Sequence, residues 1–272
     1  MHSRVGPALC LIASIAAPAA AQRLDYVAVA DESLAQPRRL DAAPVDADTP
    51  PDPAATAEAR RWLRWGLLDR FEYSAQRGED GFAWDFSALA GGKRNRLWLG
   101  SNGEGVAGKV PDYAEWDAFY SRNLGGPWDA NIGLRYDTQS GADRGYGVLG
   151  FQYDNESDLW FGAWAYLSNK GEASARVAGF WDWPLWKEAP LILQPSAELD
   201  WYGKDVPELG LGRGFGYAEA GLRLRYEFLD GKLAPYAGLS WSRDLGRTAR
   251  MTRAEGDDPE TKSLVMGVRS SF

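Results

Sequence analysis

Histidine and cysteine are all but missing from this chain: among 272 residues there is one of each, His2 and Cys10. Both fall in Met1–Ala21, where Arg4, a short apolar stretch interrupted by Pro18, and Ala19-Ala20-Ala21 before Gln22 have the form of a secretory signal with an A-x-A cleavage site. With 1–21 removed the chain has neither residue, which excludes a disulfide framework, a thiolate centre and every histidine-dependent mechanism. Pro7-Ala8-Leu9 ahead of Cys10 lacks the small-residue pattern of a lipoprotein cysteine. Removing the one positive charge of Arg4 takes the net charge from −8 to −9, a poor balance for a nucleic-acid partner, because phosphate neutralisation needs clustered Lys and Arg. Past the signal there is no run of about 18 apolar residues, so no helix crosses a membrane.

Methionine is scarce as well, with Met251 and Met266 alone beyond the signal. The stretch 22–58, ending PVDADTPPDPAATAE, is Ala-, Pro- and Asp-rich and holds neither Met nor His. Without apolar residues to form a core it reads as a disordered periplasmic arm.

What is abundant is Trp, at 13, and Gly, at 31, set in period-2 alternation. In Tyr217–Ser242 the residues Ala218, Ala220, Leu222, Leu224, Tyr226 and Phe228 share one face, and Glu219, Arg223, Arg225 and Glu227 the other. Asp230-Gly231 between the two arms is a strong hairpin signal. Twelve such segments are expected: Trp62–Gln76, Gly81–Gly91, Asn95–Ser101, Tyr113–Asn123, Trp128–Thr138, Arg144–Asp154, Leu159–Ser168, Ala173–Trp183, Leu191–Tyr202, Phe215–Leu229, Leu233–Asp244 and Thr261–Phe272. The long connections Asn102–Asp112, Gly203–Gly214 and Leu245–Glu260 all follow odd-numbered strands, while Pro184–Pro190 is the one longer turn at the other end. Trp128, Tyr136, Trp183, Trp201 and Trp241 sit near strand ends, as interfacial girdle residues do.

Together with the terminal Phe272, these features predict an all-β fold for 59–272: a transmembrane antiparallel up-and-down β-barrel of about twelve strands in a bacterial outer membrane, with the arm in the periplasm. A soluble sandwich or lipocalin-like barrel would show the same alternation inside out, with its polar faces outward. The lipid-outside reading places Leu222 in the bilayer and Arg223 in the lumen, so Leu222→Arg is expected to harm assembly more than Arg223→Leu. Candidate lumen residues are Asp85, Glu115, Asp117, Asp129, Arg135, Asp137, Arg176, Glu198, Asp200, Glu219, Arg223, Arg225, Glu227 and Arg269. Glu115/Asp117 and Glu198/Asp200 are same-face carboxylate pairs that acid–base chemistry could use, but with arginines interleaved they read as a charged wall, and no enzyme is expected. Gly145–Gly150 has the letters of a nucleotide fingerprint without the following helix, and reads as strand glycines.

The stretches LLDRFEYSAQRGEDGFAWDFSALAGG, NRLWLGSNGEG, EWDAFYSRNL, PWDANIGLRYD, LILQPSAELDWYGKDVPELGLG, YAEAGLRLRYEF and APYAGLSWSRDLGRTA resemble the outer-membrane copper resistance protein B family, from about Trp65 to Phe272. The resemblance implies a barrel of a copper-tolerance system working beside a periplasmic multicopper oxidase. The expected role is a polar conduit or export component for copper ions, with no resident cofactor and copper only weakly held or passing through. The alternative is a plugged barrel that anchors periplasmic partners. Family members commonly carry a Met- and His-rich segment ahead of the barrel, whose thioether and imidazole groups suit copper. The arm 22–58 departs from that pattern.

Overall fold

The computed structural model describes residues 63–139, 143–155, 158–186, 190–229 and 231–272; the expected signal (1–21) and arm (22–58) lie outside them. The strands are β1 (Leu63–Gln76), β2 (Gly81–Gly91), β3 (Asn95–Val106), β4 (Tyr113–Gly125), β5 (Trp128–Gln139), β6 (Arg144–Asp154), β7 (Leu159–Ser168), β8 (Ala173–Trp181), β9 (Trp183–Pro184), β10 (Leu191–Tyr202), β11 (Gly214–Tyr226), β12 (Leu233–Asp244) and β13 (Glu260–Ser271). Successive strands pair antiparallel and β13 returns to β1, so twelve of them close a ring. The two-residue β9 is an addition laid against Ile192 and Leu193 of β10.

Alternation decides which way the ring faces. Ile132, Leu134, Leu149, Leu239 and Leu264 point outward and are more than half exposed, while their strand neighbours Asn131, Arg135, Gln152, Ser240 and Val265 are buried inside. A water-soluble barrel would place these apolar side chains in its core, whereas an apolar belt around a largely polar interior is what a bilayer selects. The apolar face of the hairpin arm behaves likewise: Leu222, Leu224, Tyr226 and Phe228 are all exposed. Among the described residues no helix is long and apolar enough to cross a membrane.

The β1–β13 seam is extended at its terminal end by Phe272. Gly66 N–H donates to the Phe272 carbonyl at 2.8 Å and Phe272 N–H returns to the Gly66 carbonyl at 2.9 Å. The Phe272 ring lies over Gly66, where a Cβ would stand 2.5 Å from the ring, and stacks on Phe86 at 6.3 Å between centroids. Glycine at 66 is therefore a spatial requirement of the seam.

One end of the barrel carries both ends of the described chain and mostly short turns, and the other carries the connections after β1, β3, β5, β7, β10 and β12. We refer to these as the terminal end and the loop end. Two expected strand ends and one expected loop differ most from the reading of the sequence. Strand β3 runs on to Val106 because Asn102–Val106 keeps its ladder with β2, and Gly103 and Gly105 there seat the Trp84 and Phe82 rings. The expected strand ending at Trp183 stops at Trp181, with Trp183–Pro184 forming β9. The connection 245–259 contains an unexpected helix, α1 (Thr248–Glu255), stopped by Gly256 at φ 98°. It buries Thr248, Ala249 and Thr252, and the Gly212 N–H donates to the Thr248 hydroxyl at 2.9 Å, which ties the two long loops together. The glycine run 145–150 lies in β6, as strand glycines.

Replacing Gly66 with Val is expected to abolish the folded, heat-modifiable band of the refolded protein in detergent, because the added side chain displaces Phe272. A compact band persisting at wild-type yield would show that the seam does not need this fit.

Candidate functional site in the barrel lumen

Inward-facing charges form a lattice whose members come from strands far apart around the ring. At the loop end Arg135 of β5 reaches Glu115 of β4 at 2.5 Å and Asp137 at 2.6 Å, and donates to the Tyr113 hydroxyl. Its guanidinium also lies 5.0 Å from the centre of the Tyr166 ring and 5.4 Å from that of Tyr146, within cation–π range. Arg176 of β8 meets Glu198 at 3.3 Å and Asp200 at 3.1 Å on β10, and approaches Glu115 across the lumen at 3.9 Å. A small cavity of about 50 Å³ lies beside this cluster, between Tyr113, Tyr146, Tyr202 and Leu209. Further out, Arg144 pairs with Glu172 at 3.0 Å and with Glu208. Glu172 is outside the strands; burial acts to raise its carboxyl, but the Ser168 hydroxyl and Arg144 outweigh it and hold the group below the ordinary glutamate range.

A second group sits on the opposite wall. Arg223 of β11 pairs with Glu72 of β1 at 3.0 Å, spanning β12 and β13. Glu219 accepts from Tyr217 at 3.0 Å and Ser240 at 3.3 Å. Toward the terminal end Arg225 meets Asp182 at 2.8 Å and Glu227 at 3.4 Å, Arg269 meets Asp69 at 3.0 Å, and Arg96 meets Asp129 at 2.5 Å.

All fourteen residues expected in the lumen thus point inward or lie at its rim. Asp85, Glu115, Asp117, Asp129, Arg135, Asp137, Arg176, Glu198, Asp200, Glu219, Arg223 and Arg225 are each less than a tenth exposed. Glu227, one residue past β11, and Arg269 are partly exposed at the terminal rim. Sequence reading missed Asp69, Arg70, Glu72, Arg96 and Asp182. A bulge between Leu68 and Arg70 turns Asp69 and Arg70 inward together, and a register break of that kind carries no period-2 signal. The phase of β3 alone would have placed Arg96 inside, since it alternates with Leu97 and Leu99.

The lumen is also less polar than its charges suggest. Leu89, Trp98, Phe119, Val148, Trp160, Trp164, Ala178 and Phe180 form one buried cluster on β2–β8, in the terminal half. These rings belong inside, not to the interfacial girdle. Girdle positions are held by Tyr136, Trp183 and Trp201, which are exposed.

Copper finds few donors here. Among the described residues no group of three or more His, Cys, Asp or Glu side chains is arranged to hold a metal ion. Met266 faces outward, more than half exposed, and Met251 is on α1. Most lumen carboxylates touch a guanidinium that repels a cation.

The pairing also removes the expected ranking of substitutions. Arg223→Leu takes from buried Glu72 its ion-pair partner at 3.0 Å and leaves it the charge of Arg70 and the Tyr236 hydroxyl, a loss of up to about 3–5 kcal/mol. Leu222→Arg puts a charge in lipid at about 2–4 kcal/mol. Urea unfolding in lipid vesicles should therefore show comparable losses for the two, and adding Glu72→Leu to Arg223→Leu should restore at least half of the second. No recovery in the double variant would mean that Arg223 acts mainly through other neighbours.

Comparisons with known proteins place the chain in a family. A family model described as copper resistance protein B precursor (CopB) matches residues 63–272. The chain is 37% identical over 206 residues to a copper resistance protein B homolog of Pseudomonas syringae pv. tomato, covering 76% of this chain and 69% of that one. It is 35% identical over 210 residues to copper resistance protein B of Escherichia coli, covering 76% and 68%. Among solved structures it is similar to the NanC porin, at 14% identity and a TM-score of 0.49, covering 74% of this chain and 98% of that one. With the family match running the length of the barrel, the chain belongs to the copper resistance protein B family of outer-membrane proteins.

Proposed function

We propose that the chain serves copper tolerance from the outer membrane as a barrel that is closed at rest, with its terminal end toward the periplasm, where a multicopper oxidase is the natural partner. One observation carries this: the lumen carboxylates and arginines at mid-strand are each less than a tenth exposed. An open pore would leave them wet. In the closed state the barrel anchors and presents its rims, and copper is handled at low affinity, because lumen oxygen donors sit beside guanidinium groups and, among the described residues, neither methionine lies on a strand's inward face. The reading is non-catalytic, since outside residues 1–21 the chain has no histidine or cysteine to serve as base or nucleophile.

A second reading, passage of copper, is favoured by the cavity beside Arg135 and Arg176. It requires the Glu115–Arg176 contact to part, and we assign it to an opened state.

Planar-bilayer recording tests the closed state: wild-type protein is expected to give no steady conductance, while Arg135→Ala with Arg176→Ala opens measurable events. Steady wild-type conductance would reject the closed reading. Calorimetry is expected to find Cu(I) and Cu(II) binding weaker than micromolar, and deletion of the gene to sensitise cells to copper. A stoichiometric tight site, or unchanged copper tolerance, would count against the reading.

A further inference from the structure

The wall of the lumen from β3 to β7 carries polar groups that the charged lattice does not reach. Trp98, Ser121, Asn131, Gln152, Trp160 and Trp164 face inward and are each at most 4% exposed. The three indole N–H groups, the Ser121 hydroxyl and both amide atoms of Asn131 and Gln152 have no hydrogen-bond partner among the described residues. Neighbouring strands bring them together: Ser121 lies across from Asn131, Asn131 from Gly150, Gly150 from Trp164, and Gln152 from Gly162. The Trp160 and Trp164 ring centres are 5.7 Å apart. Gly150 is what lets them meet. A Cβ there would stand 2.6 Å from Trp164 Nε1 and 3.3 Å from Asn131 Cβ, so the indole N–H and the Asn131 side chain share the space over one glycine.

The balance of this wall is toward donors. An indole N–H donates and never accepts, and a carboxamide NH₂ supplies two further donors. Even if the amides and the hydroxyl satisfy one another, the indoles still lack an acceptor, and a buried donor left unmatched is costly. Whatever meets them must accept several hydrogen bonds, be small, and tolerate surroundings without a spare cation, since the inward guanidinium groups of these strands are engaged by carboxylates: Arg96 by Asp129, Arg135 by Glu115 and Asp137, and Arg144 by Glu172. Phosphates and carboxylates are matched by a guanidinium fork. A weakly hydrated monovalent anion needs only N–H groups and the positive edges of aromatic rings. We propose that Ser121, Asn131, Gln152 and Trp164, flanked by Trp98 and Trp160, form a binding site for a halide ion, chloride in the cell. Asn131 and Gln152 are its movable members, whose amide groups turn their NH₂ donors toward the Trp164 N–H. The site does not depend on the copper reading.

Bromide is the probe. The full chain without its signal is refolded in detergent and titrated with bromide against sulfate at constant ionic strength, following tryptophan fluorescence. A saturable quenching component is expected over a linear background from the outward indoles. Trp164→Phe should remove the saturable component. Asn131→Asp and Gln152→Glu, each adding a negative charge, should weaken it at least tenfold while heat-modifiable migration reports that the barrel is intact. Purely linear quenching in the wild type, or saturation unchanged in the acidic variants, would overturn the proposal.

Discussion

Lipid offers a peptide group no hydrogen-bond partner, and this constraint shapes every level of the barrel. It requires a ring without free edges, which is met where β13 returns to β1. It turns the apolar side of each strand outward, so that positions such as Leu134 and Leu239 are satisfied by the bilayer instead of by a core. Space for the interior is then limited. Glycines are placed where a ring from a neighbouring residue must lie flat against the wall, as Gly150 and Gly162 do for Trp164 and Gly66 for Phe272.

The same closure leaves charges inside with little solvent, and a buried ion is tolerated only with a partner. The partners here come from distant strands: Arg176 on β8 approaches Glu115 on β4, and Arg223 on β11 reaches Glu72 on β1. Such pairs act as chords that tie together strands three or four positions apart around the ring, so shape and occupancy of the lumen cannot be separated. In the closed state proposed above, the interior is held shut by the groups that would otherwise make it hydrophilic. This is why a polar lining does not by itself describe a water-filled channel.

Period-2 alternation made the fold legible, because a strand with lipid on one side and packed polar groups on the other has little choice of phase. It gave the strand positions and put fourteen charged residues on the inner face or its rim. It failed where the period is broken or where both phases look alike. The bulge at Leu68–Arg70 inverts the phase of β1 midway and hid Glu72. Gly103 and Gly105 read as a loop, although they are glycines of a continuing ladder. Trp98, Trp160 and Trp164 have the composition of a girdle, and only the phase of β3 and β7 tells that they face inward. Helix α1 has a polar sequence with no apolar stripe; its stop at Gly256 was its one local signal.

The hydrogen bonds between Gly66 and Phe272 join residues at opposite ends of the described chain. A ring sealed in this way has no partly completed form with satisfied edges: until β13 arrives, β1 has one ladder and one bare side. The polypeptide must therefore be delivered whole to the membrane and kept from pairing with other chains on the way. Among the described residues sealing is the longest-range contact, and it belongs late in folding. A chain cut short by a single strand would remain a curled sheet with two open edges, a substrate for quality-control proteases rather than a smaller pore.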